Sequence, residues 1–284
     1  MRLKNFFVLM LAAISTAAIF TGCGGDTAPA DNSQQEIKIG RIKFLNASEE
    51  LYDEVIKKFQ ERAAGKISNY KTTFYDNLSM LQMGLESGSV QQISVYKSVA
   101  DYLTAKNSKF EISSKQSPVK LEDNFAFAMR TEDTELKNSV NAAVEAMKND
   151  GTLENLIKTY ITDLNPNEDP PAVAFETFAG ADTIKIGVTG DLPPLDFVSA
   201  DGKAAGFNTA LLSELAKRLQ KNIDIIQIDS AARAAALSAK TIDISFWAIV
   251  PSNEDMPVDI DKPQGVEFSA PYFKDEITHI DLKK

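Results

Sequence analysis

The stretch from Ile184 to Leu219, IKIGVTGDLPPLDFVSADGKAAGFNTALLSELAKRL, reads as the opening of an α/β domain. Ile184 to Val188 suits a strand, Asp191-Leu192-Pro193-Pro194 a tight loop, and FVSADGKAAGF a hairpin-like turn. A helix then starts at Asn208, with Leu211, Leu212, Leu215 and Leu219 at helical spacing. Yet nearly two thirds of the 284-residue chain precedes this opening.

The preceding segment has the same texture. Ile37 to Leu45 alternates apolar and basic residues as a half-buried strand does. Asn46 and Ser48 offer a cap for a helix from Glu49 to about Ala64, with Glu49 and Glu50 in its first turn. YKTTFY is a second strand, Asp76 or Asn77 caps a helix bearing Leu78, Leu81 and Leu85, and QQISVY is a third strand. NFAFAMR at 124–130 is another strand. Two helices follow, one carrying Val140, Val144 and Met147, the other Leu153, Leu156, Ile157 and Tyr160. Residues 164–182, with three prolines, read as a linker. Beyond the opening stretch come a strand at IDIIQI, an Ala-rich helix through Leu237 and a strand at TIDISFWAIV. MLQMGLESGSVQQISVY and ARAAALSAKTIDISFWA are each helix, tight turn and strand, one unit for each of two lobes.

At the amino end, Arg2 and Lys4 precede an uncharged apolar run from Phe6 to Phe20, too short for a comfortable bilayer span. Phe20-Thr21-Gly22-Cys23 resembles a bacterial lipoprotein processing site, so Cys23 is the expected lipidation residue, and residues 24–36 look like a flexible tether. With 30 basic residues against 40 acidic, the net charge of −10 argues against nucleic acid as a partner. One cysteine and one histidine allow no intrachain disulfide, no His/Cys metal cluster and no Ser-His-Asp triad, and there is no P-loop run. No cofactor and no metal are predicted. His279 is expected to be exposed or on a crossing strand.

The opening stretch, with LSAKTIDIS and VEFSAPYFKDE after it, resembles the extracellular solute-binding proteins of bacterial amino-acid ABC transporters, family 3. IGRIKFLNASEELYDEV and TTFYDNLSMLQMGLESGSVQQISVYKSVADYL are similar to that family's second lobe, and FAFAMRTEDTELKNSVNAAVEAMKNDGTLENLIKTYI to its carboxyl end. The resemblance implies an α/β, two-lobe, periplasmic-binding-protein-like type II fold, circularly permuted. The expected organisation is a lipoprotein signal peptide at 1–22, a tether at 23–36 and lobe two at 37–123. A crossing strand and the last helices of lobe one then occupy 124–163, the linker 164–182, the start of lobe one 183–271 and a second crossing strand 272–284.

The resemblance further implies an extracytoplasmic receptor held to the membrane through Cys23, closing on a small-molecule solute and meeting an ABC transporter permease. It places the carboxylate-binding positions of amino-acid relatives near Val250 and Asp255, and their amino-group position at Tyr96. Their two aromatic positions fall on Leu192 and Ser230, so the usual contacts to a free α-amino acid are replaced. The candidate ligand contacts are Asp191, Leu192, Trp247, Ala248, Ser252, Asn46, Ser48 and Tyr96, with Lys97 nearby. Trp247 could stack on a ligand ring or pack in lobe one, Asp191 could meet a cation or cap its turn, and Asn46 and Ser48 begin a helix, where N–H groups favour anions. The alternatives are a divergent sensor or interaction lipoprotein on the same fold and a dehydratase-like enzyme. The latter needs a charged acid/base cluster, for which the cleft offers mainly Asp191 and Lys97.

Overall fold

A computed structural model describes residues 36–62, 69–114, 121–199, 201–252, 257 and 259–284. Cys23, the signal peptide, Asp255 and nearly all of the tether lie outside the described residues. Lobe two comprises β1 (Ile37–Ile42), α1 (Glu49–Arg62), β2 (Tyr70–Tyr75), α2 (Leu78–Glu86), β3 (Gln92–Tyr96), α3 (Lys97–Lys106) and β4 (Phe110–Ile112). Then β5 (Glu122–Arg130) enters lobe one, followed by α4 (Thr134–Asn149) and α5 (Thr152–Ile157), which runs into a π-helical turn at Lys158–Thr162. After the linker come β6 (Thr183–Val188), β7 (Asp191–Leu192), β8 (Asp196–Val198), β9 (Ala204–Ala205), α6 (Phe207–Leu219) and β10 (Asn222–Gln227). A 3-10 turn at Ser230–Ala232 leads into α7 (Arg233–Ser238), β11 (Ile244–Pro251) and β12 (Val266–Phe268), and β13 (Phe273–Leu282) returns to lobe two.

The strands run in the order β10-β6-β11-β5-β13-β3-β1-β2, with β12 also on β5 and β4 also on β13. In each half a parallel triplet meets one antiparallel strand supplied by the other half: β5 against β11, and β13 against β3. Between the halves β5 and β13 pair with each other, from Phe125 opposite Phe273 to Glu122 opposite Glu276. This reciprocal exchange of one strand is the type II arrangement expected from the sequence. His279 is on β13, buried opposite Ser94.

The central parallel strand of each lobe carries the same tetrapeptide, Ile37-Lys38-Ile39-Gly40 in β1 and Ile184-Lys185-Ile186-Gly187 in β6. Both glycines lie under close-packed side chains. A Cβ on Gly40 would come within 2.6 Å of Leu81, and one on Gly187 within 2.6 Å of Ile242. The missing side chain lets α2 settle onto β1 through Leu81, and lets Ile228 and Ile242 close over β6. On lobe one, α4 buries Val140, Val144 and Met147 while α6 buries Leu211, Leu212 and Leu215. Helix α2 is fixed by Asn77, whose side-chain oxygen accepts from Met80 N at 2.9 Å.

The linker is tied down on lobe one. The Asn222 side chain accepts from Phe178 N at 2.9 Å and donates to the carbonyls of Phe178 and Ala181, both at 3.1 Å. Val173 N donates to Ala204 O at 3.0 Å. The linker also reaches lobe two, where Asp169 accepts from the Tyr102 hydroxyl at 2.8 Å and pairs with Lys106 at 2.9 Å.

Helix α6 begins at Phe207, one residue before the sequence-based expectation, because Gly206 takes the capping position at φ 94°. A Cβ on Gly206 would meet the Pro194 carbonyl at 2.6 Å. Backbone strain and backbone collision therefore coincide there, whereas the neighbours of Gly40 are side-chain ends that can give way. Gly206→Ala is expected to cost about 2 kcal/mol or more, and more than Gly40→Ala, in urea unfolding of the two variants.

Candidate functional site

The two lobes meet over the carboxyl ends of their parallel strands, where open α/β sheets place ligands. Lobe two brings Arg41 from β1 and Tyr96 from the end of β3; lobe one brings Leu192 and Trp247; Asp123 comes from the crossing strand β5. These residues line one cavity of about 30 Å³, room for about two waters. Three of the residues chosen from sequence, Tyr96, Leu192 and Trp247, are thus brought together.

The other five are placed differently. Asp191 stands at the start of α2 in the opposite lobe, its Oδ2 accepting from Leu78 N at 2.6 Å. Asn46 N donates to Asp261 Oδ1 at 2.8 Å. Ser48 Oγ accepts from Leu51 N at 3.2 Å within its own helix start. Ala248 is in β11, fully buried in an apolar cluster with Leu45, Leu237 and Ile242. Ser252 Oγ donates to Glu122 O at 2.6 Å near the surface. Lys97 pairs with Asp101 one helical turn on.

Sequence reasoning missed the two arginines that organise the interface. Arg233, at the start of the Ala-rich helix, is fully buried. Its Nε donates to Ser230 O at 3.2 Å and its Nη1 to the carbonyls of Phe246 and Trp247 at 3.1 and 2.6 Å. Its Nη2 crosses to lobe two and donates to Lys43 O at 3.2 Å. Burial pulls its pKa below the ordinary arginine value, opposed by Asp261 and Asp196. Arg41, in β1, donates through Nη1 to Ser94 Oγ at 2.6 Å and lies 4.7 Å from the Tyr52 ring centre. An arginine in the interior of an apolar strand, at the point where its alternation changes phase, and an arginine in an alanine run were the available signals.

Arg233 explains an irregular strand. Successive carbonyls of a regular strand point in opposite directions, so Phe246 and Trp247 could not both serve one nitrogen. The β11–β5 register shifts between Ser245 and Ala248, and Trp247 adopts φ 65°. Such a conformation costs a bulky residue about 1–2 kcal/mol. Charge-assisted hydrogen bonds to a buried guanidinium, at about 1.5–3 kcal/mol each, offset it. The bulge also turns the Trp247 ring into the cleft, 4.8 Å from the Arg233 guanidinium and edge-on to Tyr96 at 6.0 Å.

The carboxylates here are shifted by burial. Asp123 is pushed up to about 6, with the Tyr96 hydroxyl, donating at 2.9 Å, and Arg41 working against the shift. Asp261 is likewise pushed up to about 6, opposed by Arg233 and by the N–H groups of Asn46, Ile249 and Leu45. Burial raises Asp191 too, against the N–H groups of Leu78 and Ser79. His279 is depressed to about 3 by burial and then by Arg41.

Residues 184–280 match the family model of the bacterial extracellular solute-binding proteins, family 3. No curated protein matches the chain. Among solved structures, the chain is similar to the ligand-binding component of an ABC-type import system from Staphylococcus aureus with zinc bound, at TM-score 0.43 and 13% identity over 88% of this chain and 66% of that one. It is similar to full-length CbnR complexed with its target DNA, at TM-score 0.42 and 11% identity over 88% and 64%. It is also similar to the methionine-binding protein MetQ, at TM-score 0.42 and 9% identity over 87% and 83%. The chain therefore spans slightly under two thirds of the length of the first two. Likenesses this distant carry no argument about ligand or partner.

The raised Asp123 pKa gives a pH signature. In the unfolded chain this carboxyl loses its proton near its ordinary 3.8, whereas the folded protein keeps it to about 6. Stability from this group is thus complete below about pH 4 and is lost as pH rises through about 6. His279 acts in the opposite sense, its contribution being lost as pH falls below 6.5 toward about 3. Asp123→Asn keeps the histidine and removes the carboxylate. The fall in melting temperature between about pH 4 and 6 is expected to be shallower in the variant than in the parent.

Proposed function

We propose that the chain is the solute-binding component of an ABC importer, a reading supported by the match of residues 184–280 to the family model of the bacterial extracellular solute-binding proteins, family 3. It holds a small polar solute, amino-acid-like or a derivative, between its lobes and acts by binding and closure rather than by catalysis. The observation that carries this reading is the interlobe cavity, where buried polar groups of both lobes converge beside the paired crossing strands. Closure about β5 and β13 brings the two walls together, and the solute shifts that equilibrium by its contacts to both.

In this reading Cys23 carries a lipid, residues 24–36 are the tether, and the folded part works outside the cytoplasmic membrane beside a permease. The chain order is a circular permutation of the family's usual one. Two observations support that order. The family match begins only at residue 184. The described ends also lie together, Glu36 and Ile37 lining the same depression as Leu282 and Lys284.

One observation favours the second reading, a sensor or interaction lipoprotein: the lobes are already latched by their own groups. Asp191 sits on Leu78 N, Ser230 N donates to Asp76 O at 3.1 Å, and Arg233 holds Lys43 O. Native mass spectrometry of protein purified without refolding separates the two. A co-purifying small molecule that raises the melting temperature supports the receptor; bare protein that responds to no member of a metabolite library supports the other. The latch has its own signature. Asp191→Ala removes a helix-capping contact of about 1 kcal/mol and is expected to enlarge the radius of gyration in X-ray scattering, reversed by the co-purifying solute.

A further inference from the structure

The linker does more than join two segments. Both of its ends are held on lobe one. Upstream, α5 packs against α4 and α6, and Asp163 N donates to Lys158 O at 2.8 Å to close the π-helical turn. Downstream, Ala172 bridges to Ala205 just before α6, and the Ser213 hydroxyl donates to Ala174 O at 3.3 Å. Between these anchors residues 164–171 reach across to lobe two. A compact turn keeps their shape: Asn165 Oδ1 accepts from Asn167 N at 3.1 Å, and Glu168 N donates to Asn165 O at 2.9 Å. Pro170 and Pro171 follow at once, each with φ fixed by its ring.

This loop ends on helix α3. Asp169 Oδ1 accepts from the Tyr102 hydroxyl at 2.8 Å and lies 2.9 Å from Lys106 Nζ, which is itself 5.4 Å from the Tyr102 ring centre. Tyr102 is only 9% exposed, so water has little room to replace Asp169 at its hydroxyl. The other end of α3 is held by a crossing strand, Ser98 N and Oγ donating to Asp275 Oδ2 of β13 at 3.3 and 2.6 Å. At 1.5 Å of rise per residue, Asp169 meets the helix about 6–12 Å beyond that hold. Rotation of lobe two about the crossing strands carries this part of α3 along, while the loop stays fixed to lobe one at both ends. We propose that residues 164–171 are a brace between the lobes, the contacts of Asp169 with Tyr102 and Lys106 resisting their separation. The exposed ion pair alone would contribute little; a largely buried phenol donating to a carboxylate on a stiff loop gives the brace its strength. No residue of the brace lines the interlobe cavity, so the inference does not depend on what that cavity holds.

Hydrogen exchange read residue by residue by NMR tests the brace without a ligand. Three amides bridge the lobes with no brace residue as partner: Asn46 N on Asp261, Leu78 N on Asp191 and Ser230 N on Asp76. They are released when the lobes part, whereas the amides of the β1–β2 and β6–β10 ladders exchange only when a lobe itself opens. Asp169→Ala is expected to speed exchange at the three bridging amides at least about tenfold, the change for losing one hydrogen bond to a charged group. Both ladders are expected to keep their parent rates. Tyr102→Phe keeps the ring and is expected to act in the same direction. The two changes remove one shared bond, so the double variant is expected to fall well short of the product of the single effects. Unchanged exchange at the three amides in Asp169→Ala, equal acceleration of the ladders, or single effects that simply multiply overturns the proposal.

Discussion

A guanidinium with no exposed surface is the demand around which the interface is built. Arg233 needs fixed acceptors on every side, and the chain supplies them from its own 3-10 turn, from two successive residues of β11 and from the loop after β1 in the other lobe. The bulge, the left-handed Trp247 and the inward turn of its ring follow from that demand. So does part of the contact between lobes, since one of the four acceptors is not on the same lobe as the arginine. Breaking such a site leaves a charge and several carbonyls buried together, a far larger penalty than losing an exposed ion pair.

The aromatic residues extend this centre along the crossing strands. Tyr96 meets Phe125 at 4.6 Å, Phe125 meets Phe273 at 5.4 Å, and Phe273 meets Phe207 at 4.9 Å. Ring pairs of this kind contribute about 0.5–1.5 kcal/mol beyond their buried area. They connect the cavity wall in lobe two to the first turn of α6 in lobe one, so packing at the hinge and packing at the site are one network.

Much of the fold was legible because its signals are local. The helical stripes of α4 and α6, the Asn77 cap and both crossing strands are written in short windows. The two- and three-residue strands β7, β8, β9, β12 and β4 are not, since so few residues show no period. The shared Ile-Lys-Ile-Gly of β1 and β6 was in plain view and marks equivalent strands, yet its meaning depends on what packs over the glycines. For the site, Tyr96 and Leu192 were reached through the family resemblance, and Trp247 as the single tryptophan of a strand beside the cleft. Ala248 was expected in the cleft with Trp247, but the bulge sends the two side chains into different surroundings. Arg41 and Arg233 were passed over because burial of an arginine depends on long-range partners: Ser94 is 53 positions from Arg41, and Lys43 is 190 from Arg233.

The two crossing strands do more than connect. From Glu122 to Phe125 and from Phe273 to Glu276 they are hydrogen-bonded to each other, so the junction is a ribbon and not a pair of independent threads. A ribbon flexes easily out of its plane and resists shear within it, because shear would break its ladder. Bending out of the ribbon plane is therefore the displacement this junction would resist least, since it leaves the ladder between β5 and β13 intact. A ladder shared in this way ties the register of one lobe to that of the other at the very edge of the cavity.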